Sequence, residues 1–173
     1  LVLQPTTSAW MYFSRKVKNP SIYGIRDGFK NFVYRMEQHH LEYDLGSEYV
    51  IKTLGRVNGD KFTVGHRDYS LVVIPAEMEN IEVSTLELLE KYLERGVEIL
   101  SFNRDIPRVD GEISGKVNDL AIKFPEQWVL ADNLDDPRSL KMLNNDLFEM
   151  KDISQNGMLY HQRRELDDGQ LLF

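Results

Sequence analysis

At 173 residues, 42% hydrophobic and 28% charged, the chain has the make-up of one globular domain, long enough to bury roughly 70% of the surface its unfolded form would expose. It contains no cysteine, which excludes disulfides, thiolate metal sites and a cysteine nucleophile, and no run approaches the roughly 20 apolar residues of a membrane span. The formal charge is −7, and no basic stripe interleaved with aromatics stands out, so nucleic acid is not an expected partner.

Leu1-Val2-Leu3-Gln4 predicts a short core strand that breaks at Pro5, and "PTTSAWMYF" predicts a loop running toward the turn at Asn19-Pro20. After Pro20, Ser21 is the expected cap of a helix whose apolar residues Ile25, Phe29, Phe32, Val33 and Met36 share one face. "LEYDLGSEYVIKTLG" predicts a strand to Asp44, a turn at Gly46, a cap at Ser47 and a helix ending at Gly55. "RVNGDKFTVG" carries Asn58-Gly59 between alternating residues and predicts a hairpin inserted at the sheet edge.

Tyr69 to Ile74 is a continuous apolar run ending at Pro75, as a parallel strand covered on both faces requires. Ser84-Thr85-Leu86-Glu87 reads as a capping box for a helix through Leu86, Leu89 and Leu93 that ends at Gly96, before a strand over Val97 to Leu100. Past Phe102 the pattern loosens. Val117, Leu120, Ala121 and Phe124 form a short amphipathic run, and Asp136-Pro137 starts a helix with Leu140, Leu143 and Leu147 on one face. Leu159 to Arg164, the turn Asp167-Asp168-Gly169 and Gln170 to Phe173 predict a terminal hairpin. The abrupt apolar ends, Leu1-Val2-Leu3 and Leu171-Leu172-Phe173, lead to the expectation of a piece of a longer polypeptide. The alternation of strand and helix predicts an open parallel sheet with helices on both faces, residues 1–157, followed by a hairpin, residues 158–173, that terminates the domain or begins a β-rich one.

In such a sheet ligands bind beyond the carboxyl ends of the strands, which nominates the loops at Pro5-Thr6-Thr7-Ser8, Asp44-Leu45-Gly46, Pro75-Ala76-Glu77 and Ser101-Phe102-Asn103. The hydroxyls of Thr6, Thr7 and Ser8 suit a phosphate, but the first loop lacks the glycine that would let backbone approach one. Carboxylates pair in sequence at Glu42 and Asp44 and at Glu77 and Glu79, as hydrolysis of a glycosidic bond requires, yet 28 acidic residues make such neighbours commonplace. His39-His40 diverge by about 100° on a helix and better serve its C-terminal dipole than a metal. No GxSxG elbow occurs. Trp10, Tyr12 and Phe13 sit beside polar groups in the first loop, where aromatics can stack on sugar rings or anchor a neighbouring domain.

The phrases "LVLQPTTSAWMY", "EYDLGSEYVI", "YSLVVIPAEMENIEVSTLELLEKYLERG" and "HQRRELDDGQLLF" together resemble the region that follows the catalytic barrel in bacterial glycosidases of glycoside hydrolase family 106, the α-L-rhamnosidases. The middle phrases are also similar to the glutamine-amidotransferase-like domain of family 42 β-galactosidases. The resemblance implies a flavodoxin-like, class I amidotransferase-like domain of a secreted or periplasmic carbohydrate hydrolase. Its partners would be the barrel and β-rich domains of the same polypeptide, carbohydrate, or a second copy, with no nucleic acid and no membrane. It implies no catalytic residue, metal or cofactor here, because acid and base belong to the barrel, and a chain without cysteine cannot perform amidotransferase chemistry. Contacts to carbohydrate or to a neighbouring domain are expected at Thr6, Thr7, Trp10, Tyr12, Asp44 and Glu77. The rival readings are a carbohydrate-binding module using these loops and a free-standing flavodoxin-like protein that binds a small molecule.

Overall fold

The computed structural model of the protein describes residues 1–144, 163–166 and 168–172. In chain order it comprises β1 (Val2–Leu3), α1 (Thr6–Met11), α2 (Pro20–Gln38), β2 (Leu45–Gly46), α3 (Glu48–Leu54), β3 (Gly55–Asn58), β4 (Lys61–Val64), β5 (Arg67–Tyr69) and β6 (Val72–Ile74). There follow α4 (Val83–Leu93), β7 (Ile99–Ser101), β8 (Arg108–Val109), β9 (Glu112–Ile113), α5 (Lys116–Lys123), β10 (Trp128–Leu130), α6 (Pro137–Leu143), β11 (Arg163–Leu166) and β12 (Gly169–Leu172).

Five strands form one parallel sheet in the order β10-β7-β6-β1-β2. Numbered by appearance these strands lie 2-1-3-4-5, the flavodoxin-like order of a doubly wound sheet, whose direction of growth reverses between β1 and β6. One row of the register runs Leu45, Val2, Val73, Leu100 and Val129 across all five strands. Val2, Val73, Leu100 and Val129 pack beneath Met36 and Phe32 of α2 and Leu140 of α6, while Leu3, Ile74, Ile99 and Trp128 turn to Ile51 of α3, Leu89 of α4 and Leu120 of α5. The sheet is thus covered on both faces, which is why its strands read as unbroken apolar runs.

The inserted hairpin continues into a third strand, so that β3, β4 and β5 form an antiparallel sheet. Phe62 of β4 is buried edge-on against Tyr92 of α4, with ring centroids 5.7 Å apart at 90°. This contact holds the insertion on the α3–α4 face. The run Tyr69 to Ile74 therefore serves two sheets: Tyr69 ends β5, and the parallel strand begins only at Val72.

Local chemistry explains the other departures from expectation. The "PTTSAWMYF" segment is not all loop, because α1 forms over its middle. Asn19, not Ser21, caps α2, accepting the Ser21 amide at 3.0 Å with Pro20 in the first turn. The capping box at Ser84 is not used, because α4 starts two residues earlier than it implies, with Glu82 as its cap. Ser101 and Asn103 lead out of β7 into the β8–β9 hairpin, which turns through Asp110 and Gly111, both at positive φ. The terminal hairpin forms as β11 and β12. Leu147, Leu159, Tyr160, Asp167 and Phe173, which figure in the expected last helix and hairpin, lie outside the described residues.

Candidate functional site

The reversal of strand order between β1 and β6 places the natural ligand crevice where the chain leaves these two strands, at Pro5–Tyr12 and Pro75–Asn80. Thr6, Thr7, Trp10, Tyr12 and Glu77 all lie at this carboxyl end. Asp44 does not. The strand expected to end at Asp44 instead occupies Leu45–Gly46, and Leu45 pairs with Val2, so Asp44 sits at the amino end of the sheet.

The crevice is filled by the protein's own side chains. Ser8, fully buried in α1, accepts the backbone amides of Glu79 and Asn80 at 2.9 and 3.0 Å. It thereby closes the loop after β1 onto the loop after β6. Thr7 donates its hydroxyl to Glu48 at 2.6 Å, and the other oxygen of Glu48 accepts the Glu82 amide at 2.7 Å. Glu48, 2% exposed, therefore ties α1 to the starts of α3 and α4. Burial is the main cause pushing its carboxyl above the usual range, and the facing Glu82 adds to it, while the Thr7 and Glu82 hydrogen bonds oppose the rise. Lys52 lies 3.9 Å from Glu82 and offsets part of that repulsion.

Tyr12 donates to Glu79, and this bond raises the phenol above its ordinary value. Glu77 lies half-buried against α2, where Gly28 leaves it room: a Cβ on Gly28 would stand 2.4 Å from its Oε1. Burial pushes the Glu77 carboxyl upward. Asn103 donates to the carbonyls of Ala76 and Met78 at 3.0 and 2.6 Å, fixing the same loop from the β7 side. Thr7, Ser8 and Glu79, which a ligand would recruit, are thus already hydrogen-bonded within the chain. Glu77 packs on helix backbone, so Glu77 and Glu79 do not act as a facing carboxylate pair.

At the opposite, amino end of the sheet a cavity of about 950 Å³ opens among Tyr43, Asp44, Arg67, Tyr69, Met142 and Arg163. Asp44 accepts the Tyr69 hydroxyl at 3.0 Å and lies 3.6 Å from Arg67. Burial and Asp44 push the Tyr69 phenol up to about 12. Glu42 forms a two-pronged pair with Arg163 at 2.9 and 2.7 Å, joining the terminal hairpin to the body. Glu42 and Asp44 therefore serve two different partners and do not face each other as an acid–base pair.

His39 and His40 also separate. His39 bonds Asp135 at 2.8 Å, whereas His40 ends α2 in the left-handed region at φ 54°, with the Leu41 amide closing back on the Met36 carbonyl at 3.1 Å. Among the described residues no three His, Cys, Asp or Glu side chains are grouped to hold a metal ion, and no helix there is long and apolar enough to cross a membrane.

No family model, no curated protein and no solved structure matches this chain. Two features escaped sequence reasoning. Glu48 looks like any acidic residue in a helix first turn, and only its burial reveals a clamp. The cations of the exposed first loop, Arg15, Lys16 and Lys18, are hidden by the acidic average.

Proposed function

We propose that the protein is a non-catalytic α/β module of a carbohydrate-degrading glycosidase, similar to the α-L-rhamnosidases of glycoside hydrolase family 106, with the hydrolytic acid and base outside residues 1–173. The observation that carries the non-catalytic reading is the closure of the switch-point crevice by Ser8, Thr7 and Glu48. A doubly wound sheet that used this crevice would leave those polar groups free to meet a ligand. The glycosidase reading is supported by the four sequence phrases that resemble the family.

The module's work is then mechanical: it braces neighbouring domains or forms a wall beside them. An aryl-glycoside panel including α-L-rhamnoside and β-D-galactoside tests this, with the 173-residue chain and the full-length gene product assayed side by side. Turnover by the full-length product alone is the expected result. Turnover by the 173-residue chain would overturn the reading and make Glu77 and Glu79 the first residues to substitute.

A further inference from the structure

The charge of the chain is unevenly placed. Residues 1–26 hold Arg15, Lys16, Lys18 and Arg26 and no carboxylate, whereas all 28 acidic residues and 17 of the 21 cations follow. Arg26 is paired with Asp27 at 2.8 Å. Arg15, Lys16 and Lys18 are exposed and pair with no carboxylate among the described residues. Alongside them stand Trp10, Phe13 and Val17, with 67%, 64% and 67% of their surfaces in solvent. The segment is also held in shape: Phe13 donates its amide to the Trp10 carbonyl at 3.1 Å, Ser14 Oγ accepts the amides of Lys16 and Val17 at 3.2 and 3.3 Å, and Tyr12 is bound to Glu79. Ordering is therefore in place before any partner arrives.

We propose that Trp10, Phe13 and Val17, together with Arg15, Lys16 and Lys18, form a docking surface for an acidic protein surface on a neighbouring domain of the same polypeptide. Placing the partner in that polypeptide rests on the glycosidase-module reading above. Large exposed aromatics beside arginine are the residues that dominate protein interfaces, and unpaired cations ask for carboxylates opposite. An isologous contact with a second copy would set these cations against themselves. An anionic membrane or a long polyanion would also meet Asp105, Asp110 and Glu112, exposed on the loops beyond β7 at the same carboxyl end. A shaped acidic epitope can engage the first loop without meeting them.

The test uses the full-length gene product. Zero-length carbodiimide coupling followed by peptide mass spectrometry is expected to join Lys16 or Lys18 to aspartate or glutamate outside residues 1–173. N-bromosuccinimide oxidation of Trp10, read by peptide, is expected to be roughly tenfold slower in the full-length product than in the 173-residue chain. The only other tryptophan, Trp128, is 6% exposed and serves as the internal control. Arg15→Glu and Trp10→Ala, both at exposed positions that leave the two lysines in place, are each expected to cut the cross-link yield, and Arg15→Glu is expected to restore Trp10 oxidation.

Equal Trp10 oxidation in both proteins, cross-links only between copies, or protection of Trp10 only by phosphatidylserine vesicles or single-stranded DNA would each overturn the proposal. Aryl-glycosidase activity of the same preparation separates the two ideas. Activity without cross-links sinks the surface and spares the module reading, and cross-links without activity do the reverse.

Discussion

Glu48 gives the most direct handle on the closed crevice. Glu48→Ala removes the acceptor of both the Thr7 hydroxyl and the Glu82 amide at a site that is 2% exposed. Each buried donor left unpaired costs about 1–3 kcal/mol, and returning a desolvated carboxylate to nothing recovers part of that, so a net loss of about 2–4 kcal/mol is expected. Glu48→Gln keeps an acceptor for the Glu82 amide and a polar partner for Thr7 without the charge, and is expected to stay within about 1 kcal/mol of the parent near neutral pH.

The pH dependence follows from the sign of the shift. Because the folded carboxyl lies above its unfolded value of 4.5, the folded state holds this proton more tightly. Its contribution to stability is full below 4.5 and is lost as pH rises through the raised folded value. Urea unfolding followed by far-ultraviolet circular dichroism at pH 4.5 and 7.5 measures this for all three proteins. Glu77, raised by burial in the same direction, contributes equally to parent and Gln variant, so the difference between them isolates Glu48. Identical pH slopes for parent and Glu48→Gln, or a loss under about 0.5 kcal/mol for Glu48→Ala, would refute the clamp.

Other substitutions probe the frame that positions it. Gly24→Ala in the exposed interior of α2, where a Cβ meets nothing within 4 Å, is expected to raise stability by about 0.5–1 kcal/mol in the same urea assay. Gly55→Ala is expected to do the opposite and cost at least about 2 kcal/mol, because its Cβ would stand 2.3 Å from the Ile51 carbonyl oxygen, a backbone atom that cannot swing aside. His40→Gly relieves a left-handed residue at the end of α2 and is expected to raise the unfolding midpoint, by an amount corresponding to about 1 kcal/mol.

What the sequence made legible was whatever repeats over several residues or concentrates in a turn. The long apolar face of α2, the run before Pro75, the α4 helix closed by Gly96 at φ 78°, and the Asn58-Gly59 hairpin all carry such signals. The fifth parallel strand is three residues long, Trp128–Leu130, and too short for any periodicity to show. Helix α1 has six residues, no side-chain cap and Pro5 before it, so its segment read as a loop. Asp44 was assigned to the wrong end of the sheet because the strand ends two residues later than expected, at Gly46, as the pairing of Leu45 with Val2 decides. Ser8 and Glu48 matter through tertiary burial, which leaves no local pattern, and the cationic first loop vanished into an average over 173 residues.

The closed crevice itself is best examined by amide chemical shifts. In a nitrogen-15 heteronuclear spectrum of the 173-residue chain, the Glu79 and Asn80 amides, both bound to Ser8, report on that site. Titration with flavin mononucleotide, adenosine triphosphate and L-rhamnose at millimolar concentration is expected to leave both signals in place. Saturable movement of either signal with any of these would contradict the account and reopen the crevice as a binding site.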